Sequence, residues 1–334
     1  MSTVTRRVLI GAAVAAVAVL GIAVGLGREF DQRPSSPRAN MAGLQRLDLN
    51  PLGTLGAPGR LRKLSMSNPS GAATLPAELT VYQVVPAVVT PGSVEKEARR
   101  FGVAGKAQRN VEMTSVRSAS GDVVVDNLSG SVNWVTPEYE EASEPMQHRL
   151  TDDEYVTAAK EFMRGKDLWN DDLVFAGVSE YTVNDAPMMV EVHFTRTLNG
   201  RNWHGVGPKK TVTFGDNGKV VGYFSVWREV KPMTKYPLVK PADAVKQIER
   251  GDALVAADEL NADATAERIE LVYINDGAGI KQRYVAPYYR VSGKTASGKP
   301  FTAVTRAIPL ELVNERPEEL PGLGGTAAST GRTE

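Results

Sequence analysis

The sequence predicts an α+β protein: an N-terminal transmembrane helix, then tandem units of one helix packed on an antiparallel sheet. Three observations carry that expectation. An uncharged run of 19 residues, "VLIGAAVAAVAVLGIAVGL" from Val8 to Leu26, follows Arg6 and Arg7. Three helix-start signals recur along the remaining chain. After each of them come runs that alternate apolar and polar residues with period two, the mark of half-buried antiparallel strands.

Taken in order, the first element is residues 1–27, a membrane anchor or signal segment. As a helix the uncharged run would be about 28 Å long, close to the hydrocarbon thickness of a bilayer. The positive-inside bias keeps Arg6 and Arg7 in the cytoplasm and sends the rest of the chain outward. A cleaved secretory signal is the alternative, with Ala23, Val24 and Gly25 as small residues at the required spacing. The expected location is therefore the cell membrane, single-pass, with the C-terminal part extracytoplasmic, or secretion if the segment is cut.

Residues 28–78 read as a Pro/Gly-rich spacer without a sustained period. Within it Leu44, Leu47, Leu49, Leu52 and Leu55 leave room for a short amphipathic piece. The first helix-plus-sheet unit is expected over 79–147, the second over 148–235 and the third over 236–313, with a disordered tail at 314–334. The first helix opens at Thr90 with Pro91 in its first turn, carries Val94, Ala98 and Phe101 on one face, and stops at Gly102. The second opens on a capping box, Thr151 to Glu154, carries Tyr155, Ala159, Phe162 and Met163 as its apolar stripe, and ends at Gly165. The third has Pro241 in its first turn with Asp243, places Ala244, Val245 and Ile248 inward, and stops at Gly251. Asn199-Gly200 and Asn217-Gly218 are two-residue hairpin signals in the middle unit.

Composition removes several classes of chemistry. Lys plus Arg and Asp plus Glu are equal at 39 each, so there is no overall basic field for nucleic acid, and none is expected as a partner. There is no cysteine, which removes disulfides, thiolate metal sites and a cysteine nucleophile, and there are only three histidines. "GKTASGKP" from Gly293 to Pro300 nearly spells a phosphate-binding loop, with Gly293, Gly298 and Lys299 in register. Strand patterns flank it on both sides, and Pro300 has neither a hydroxyl for a metal nor an amide hydrogen for a phosphate. It reads as a hairpin turn, and no nucleotide is expected.

Other groups read as structural. His193 and His204 fall near each other in the middle hairpin, with Glu191 on the face of His193, yet sheet-surface histidines explain them without a metal. The acidic stretch with Glu138, Glu140, Glu141 and Glu144 reads as a solvated connector, and Asp152, Asp153 and Glu154 as acids favoured at a helix N-terminus. "INDG" at Asn275 to Gly277 reads as a turn. No catalytic residue, cofactor or metal is expected.

Aromatic residues interleaved with arginine on strands remain. Trp227 and Arg228 stand in one place, Tyr284, Tyr288 and Arg290 in another. Alternation puts Tyr284 and Tyr288 on one face of their strand and Tyr289 on the other, so one face is core and the other is available. Tyr and Arg are favoured anchors at protein interfaces, and these five residues are the expected partner-binding site.

The segments "VHFTRTLNGRNWHGVGPKKTVTFGDNGKVVGYFSVWREV" and "LVYINDGAGIKQRYVAPYYRVSGKTASGKPFTAVTRAIP" carry a further pattern: a strand, "YR" before a Gly turn, then a strand ending in an apolar-Pro step. In this, and in the apolar N-terminus ahead of successive helix-plus-sheet units, the chain resembles the YycH/YycI two-component regulatory proteins and related PepSY-type modules over Leu79 to Pro309. The resemblance implies a single-pass extracytoplasmic module that binds a partner, a membrane sensor kinase in one case and a peptidase or wall component in others. The long spacer and the three units depart from it. The expected function is that of a non-enzymatic, membrane-anchored regulatory or binding protein of the bacterial envelope, acting through protein or peptide contacts and held to the membrane by residues 8–26. A structural subunit of an envelope complex is the alternative, and an envelope hydrolase using the acidic connector a further one.

Overall fold

The structure, a computed structural model, describes residues 43–50, 58–66, 69–71, 75–140, 144–205 and 209–315. The expected membrane segment 8–26 lies outside these residues, as does the tail from 316 onward.

In chain order the strands begin with β1 (Leu47–Leu49), β2 (Pro58–Gly59), β3 (Lys63–Ser65) and β4 (Glu78–Val84). Helix α1 (Pro91–Arg100) precedes β5 (Gln108–Arg109), β6 (Met113–Ser118), β7 (Gly121–Asp126) and β8 (Val132–Val135). Helices α2 (Pro137–Glu140) and α3 (Asp152–Gly165) precede β9 (Leu173–Val183), β10 (Ala186–Leu198), β11 (Arg201–Gly205), β12 (Lys209–Phe214) and β13 (Val220–Val226). The remainder is β14 (Val230–Pro237), α4 (Pro241–Arg250), β15 (Ala253–Ala257), β16 (Asp263–Asn275), β17 (Tyr284–Val285), β18 (Pro287–Thr295), β19 (Pro300–Arg306) and β20 (Val313–Glu315).

The helices start and stop where their caps direct. Thr151 Oγ1 accepts from the Glu154 N–H while Glu154 Oε2 accepts from the Thr151 N–H at 2.8 Å, and Tyr155, Ala159 and Met163 are buried beneath. Thr90 caps α1 through Ser93, and Gly251 closes α4 in the left-handed region at φ 88°.

The fold class requires correction. The described chain is mostly β, its four α-helices are short, and none is long and apolar enough to cross a membrane. Nor do the helices sit on separate sheets in tandem. Fifteen strands form one continuous sheet in the order β2-β15-β19-β18-β16-β11-β10-β12-β13-β8-β7-β6-β5, with β3 on β16 and β9 on β10. The last strand of the first expected unit joins a strand of the second: β8 and β13 run antiparallel, with Tyr223 opposite Trp134 and Phe224 opposite Asn133. Each would otherwise leave a row of amide and carbonyl groups unpaired, so the junction satisfies both edges at once.

Fusion of the sheets also fuses the cores. Phe101 at the end of α1 stacks on Trp134 of β8 at 4.9 Å between ring centroids, and Trp134 stacks on Phe162 of α3 at 5.7 Å. Both helices therefore cover one apolar layer that includes Val116, Val123, Val192, Phe194, Val212 and Tyr223. A second layer lies beneath α4, with Ile248, Ile269, Tyr289, Val291 and Phe301.

The link between the two halves is β11. It starts as a hairpin partner of β10, with Thr197 opposite Asn202 and Asn199 and Gly200 at φ 49° and 68°, then leaves it to pair in parallel with β16. Three strands come from the Pro/Gly-rich stretch. Leu47 and Leu49 of β1 are buried against β20, and Leu61 and Leu64 are buried under α4. A small sheet, β14-β4-β17, completes the fold.

Candidate interaction surface

The five residues expected to bind a partner occupy different environments. Arg228 is 4% exposed and lies inside the junction between the two halves of the sheet. Its guanidinium donates to Asn275 Oδ1 at 3.0 Å and to the carbonyls of Asp276 (2.6 Å), Gly277 (2.8 Å) and Ile280 (2.8 Å). Burial lowers its pKa from the ordinary value, with Asp276 acting in the opposite sense. The "INDG" turn is thus the backbone that Arg228 clasps. Tyr288 is 6% exposed, in an apolar cluster with Val272, Ile274 and Ile308. Tyr284 is half-buried, and its hydroxyl accepts from Gln45 Nε2 at 3.1 Å. Arg290 pairs with Glu270 at 3.0 Å, and Glu270 also holds Arg268 at 2.9 Å. Trp227 is half-buried beside Arg228. Two of the five share the junction, two share an apolar cluster, and one sits in an ion-pair network; they form no common face.

Trp227 instead belongs to a cation layer that the sequence pattern did not announce. The Arg196 guanidinium lies between two indoles, 4.8 Å from the Trp203 ring and 4.7 Å from the Trp227 ring. Its Nε is 2.7 Å from Asp172 Oδ2, and Nη1 donates to the Arg228 carbonyl at 2.8 Å. Lys210 Nζ stands over the Trp227 ring at 4.7 Å and donates to the Leu168 carbonyl and to Asn170 Oδ1. Arg196 and Lys210 occupy strand positions where alternation asks for an apolar residue, and their hydrogen-bond and ion-pair partners lie 24 to 42 residues away, out of reach of local pattern.

Burial lowers the Lys210 pKa from 10.5 to about 8. Between those values the unfolded chain holds a proton that the folded chain has released, so this group's contribution to stability rises with pH. Urea denaturation at pH 8 and pH 10 should show the gain from pH 8 to pH 10 to be larger in the wild type than in Lys210→Met. Equal changes in the two proteins would place the Lys210 ammonium in water.

The histidines behave as sheet side chains. His193 Nε2 is 2.7 Å from Ser179 Oγ and 3.6 Å from Glu191 Oε2, and Nδ1 is 3.1 Å from Thr211 Oγ1. Serine and carboxylate thus stand at one ring nitrogen and a second hydroxyl at the other, so no acid holds the ring from behind, as a serine nucleophile's base requires. Burial lowers the His193 pKa and keeps the ring neutral at pH 7. His204 is on β11 opposite Ile274. Glu138 of the acidic connector pairs with Lys219, and Glu154 is the capping residue.

The surface that stands out is β9. It is eleven residues long, "LVFAGVSEYTV", and among the described residues it pairs with β10 alone. Val174 (39% exposed), Phe175 (50%), Tyr181 (50%) and Val183 (43%) are four of the nine large apolar side chains exposed on the described chain. They occupy both faces. Phe175 lies opposite Phe194 and contacts it edge-on at 6.2 Å, on the face that carries the helices. Tyr181, opposite Met189, and Val174, opposite Thr195, point to the other face. A bulge at Ala176-Gly177, with Gly177 at φ 153°, produces the change of phase. The turn into β10 uses Asn184 and Asp185, at φ 51° and 62°, a signal present in the sequence as a left-handed-tolerant pair.

No protein-family profile and no curated protein matches the chain. Solved structures do match it; one is the crystal structure of an uncharacterized protein from Eubacterium rectale, 10% identical, covering 78% of this chain and 98% of that chain, with a TM-score of 0.42.

Proposed function

We propose that this is a non-enzymatic extracytoplasmic binding protein that works through protein or peptide contacts, with β9 as its docking surface. One observation carries the reading: an edge strand of eleven residues keeps four large apolar side chains in water. Exposed apolar surface concentrated along an unpaired edge marks a contact site, because solvation of both the side chains and the backbone row is relieved when another chain is laid against them. The apolar run after Arg6 and Arg7 supports the location. The strongly shifted cation, Lys210, has its donors directed at Leu168, Asn170 and the Trp227 ring, which is a structural engagement.

Replacing the two half-exposed aromatics, Phe175→Ser with Tyr181→Ser, should keep the purified chain cooperatively folded, with only the small loss of stability expected from the Phe175–Phe194 contact, and remove the high-mass complex that the wild type forms in envelope extracts on native gels. Glu138→Gln with Glu144→Gln should keep that complex. The opposite assignment, complex lost with the glutamines and kept with the serines, would sink the reading.

A further inference from the structure

The β9 surface has a chemistry that selects what covers it. Ten residue pairs join β9 to β10 on one side, leaving the outer row of N–H and C=O groups without a strand among the described residues. The row is about 36 Å long at roughly 3.3 Å per residue. Native edges are blunted by lysine, proline, inward-pointing charge or a bulge, and β9 carries a bulge at Ala176-Gly177. Between Leu173 and Val183 there is no lysine and no proline, and the one charge, Glu180, is tied to Arg149.

Charge then separates the candidates. From Asp167 to Thr195 the chain carries six carboxylates, Asp167, Asp171, Asp172, Glu180, Asp185 and Glu191, and no lysine or arginine. Arg196 engages Asp172 and Arg149 engages Glu180, while Asp171 and Asp185 are exposed just beyond the two ends of β9. A second copy laid antiparallel about Val178 would set Asp171 of each chain against Asp185 of the other, at both ends of the pair. Like charges opposed in this way are disfavoured.

We propose that β9 receives, as an added strand, an extended segment of a partner protein that is apolar or β-branched in its middle and carries lysine or arginine at both ends. This rests on β9 being the docking surface and names what docks there. The backbone row supplies the hydrogen bonds. Val174 and Tyr181 on one face, and Phe175 on the other, supply the apolar contacts to alternate side chains of the segment. The end carboxylates meet the cations and set register.

The test uses the full-length chain and a synthetic 15-residue peptide, Lys-Thr-Val-Thr-Val-Thr-Val-Thr-Val-Thr-Val-Thr-Val-Thr-Lys, long enough to set a lysine opposite each of Asp171 and Asp185, followed by calorimetric titration and by hydrogen exchange of the β9 amides. The peptide should bind and slow exchange along β9. Glutamate in place of the two lysines should weaken it about tenfold or more. N-methylation of one alternate set of peptide amides should abolish binding, since that set meets the edge, while methylation of the other set is tolerated. Phe175→Ser with Tyr181→Ser should weaken the lysine peptide about tenfold. Equal binding of the lysine and glutamate peptides would overturn the cationic partner and leave β9 as the docking surface. No binding by either peptide overturns strand addition, and the native-gel complex of the serine variant then decides the docking reading separately. A wild-type chain that sediments as a dimer and becomes monomeric in the serine variant would put a second copy on β9 and overturn the proposal.

Discussion

Gly293→Ala should cost about 3 kcal/mol or more of folding stability, beyond the usual range for one added methyl group in a packed site. A Cβ at Gly293 would lie 2.0 Å from the Thr265 carbonyl oxygen, 3.0 Å from Ala266 Cα and 3.0 Å from the Glu267 nitrogen. All three are backbone atoms of β16, at the register shift between Ala266 and Arg268, so no side chain can rotate away and the strands must part. Gly298, in the turn of the same hairpin, is the contrast. It has φ 86° and open space around it, so Gly298→Ala should cost only the roughly 1–2 kcal/mol of a left-handed alanine, and Gly298→Asn less. Urea denaturation of the three variants measures this directly. If Gly293→Ala lost less than about 1 kcal/mol, the close approach of β16 and β18 would be wrong. The two glycines that suggest a phosphate loop in the sequence thus have different duties, close strand packing and a turn, with β18 and β19 antiparallel on either side.

Arg228→Met should be comparably damaging, about 4 kcal/mol. Methionine keeps the apolar stem but removes the guanidinium donors from Asn275 Oδ1 and the carbonyls of Asp276, Gly277 and Ile280. A buried acceptor stripped of its donor loses its solvation without compensation. Arg228→Lys should recover little of the loss, because two nitrogens of a planar fork serve the four acceptors and a single ammonium cannot span them. Hydrogen exchange should quicken across residues 276–283, where Gln282 holds the Asp276 N–H and the Ile274 and Tyr284 carbonyls. Full rescue by lysine would show that charge, and not the fork, closes the junction.

What the sequence by itself determined is local. Thr151 with Glu154, Pro91 and Pro241, and the pairs Asn199-Gly200 and Asn217-Gly218 act through bonds and dihedral preferences within a few residues, and the structure has helix starts and turns at each. Alternation likewise reports which side of a strand faces the core, as at Val190, Val192 and Phe194. Which edges join is not written in the same way, because every residue except proline offers the same amide and carbonyl to a neighbour. The union of β8 with β13, the departure of β11 to β16 and the edge that β9 leaves unpaired among the described residues were decided only by the tertiary structure. So was the fate of the aromatic and arginine residues: Tyr288 and Arg228 look like surface anchors in a single strand, and become core and clasp once Ile308 and the 275–280 turn close over them.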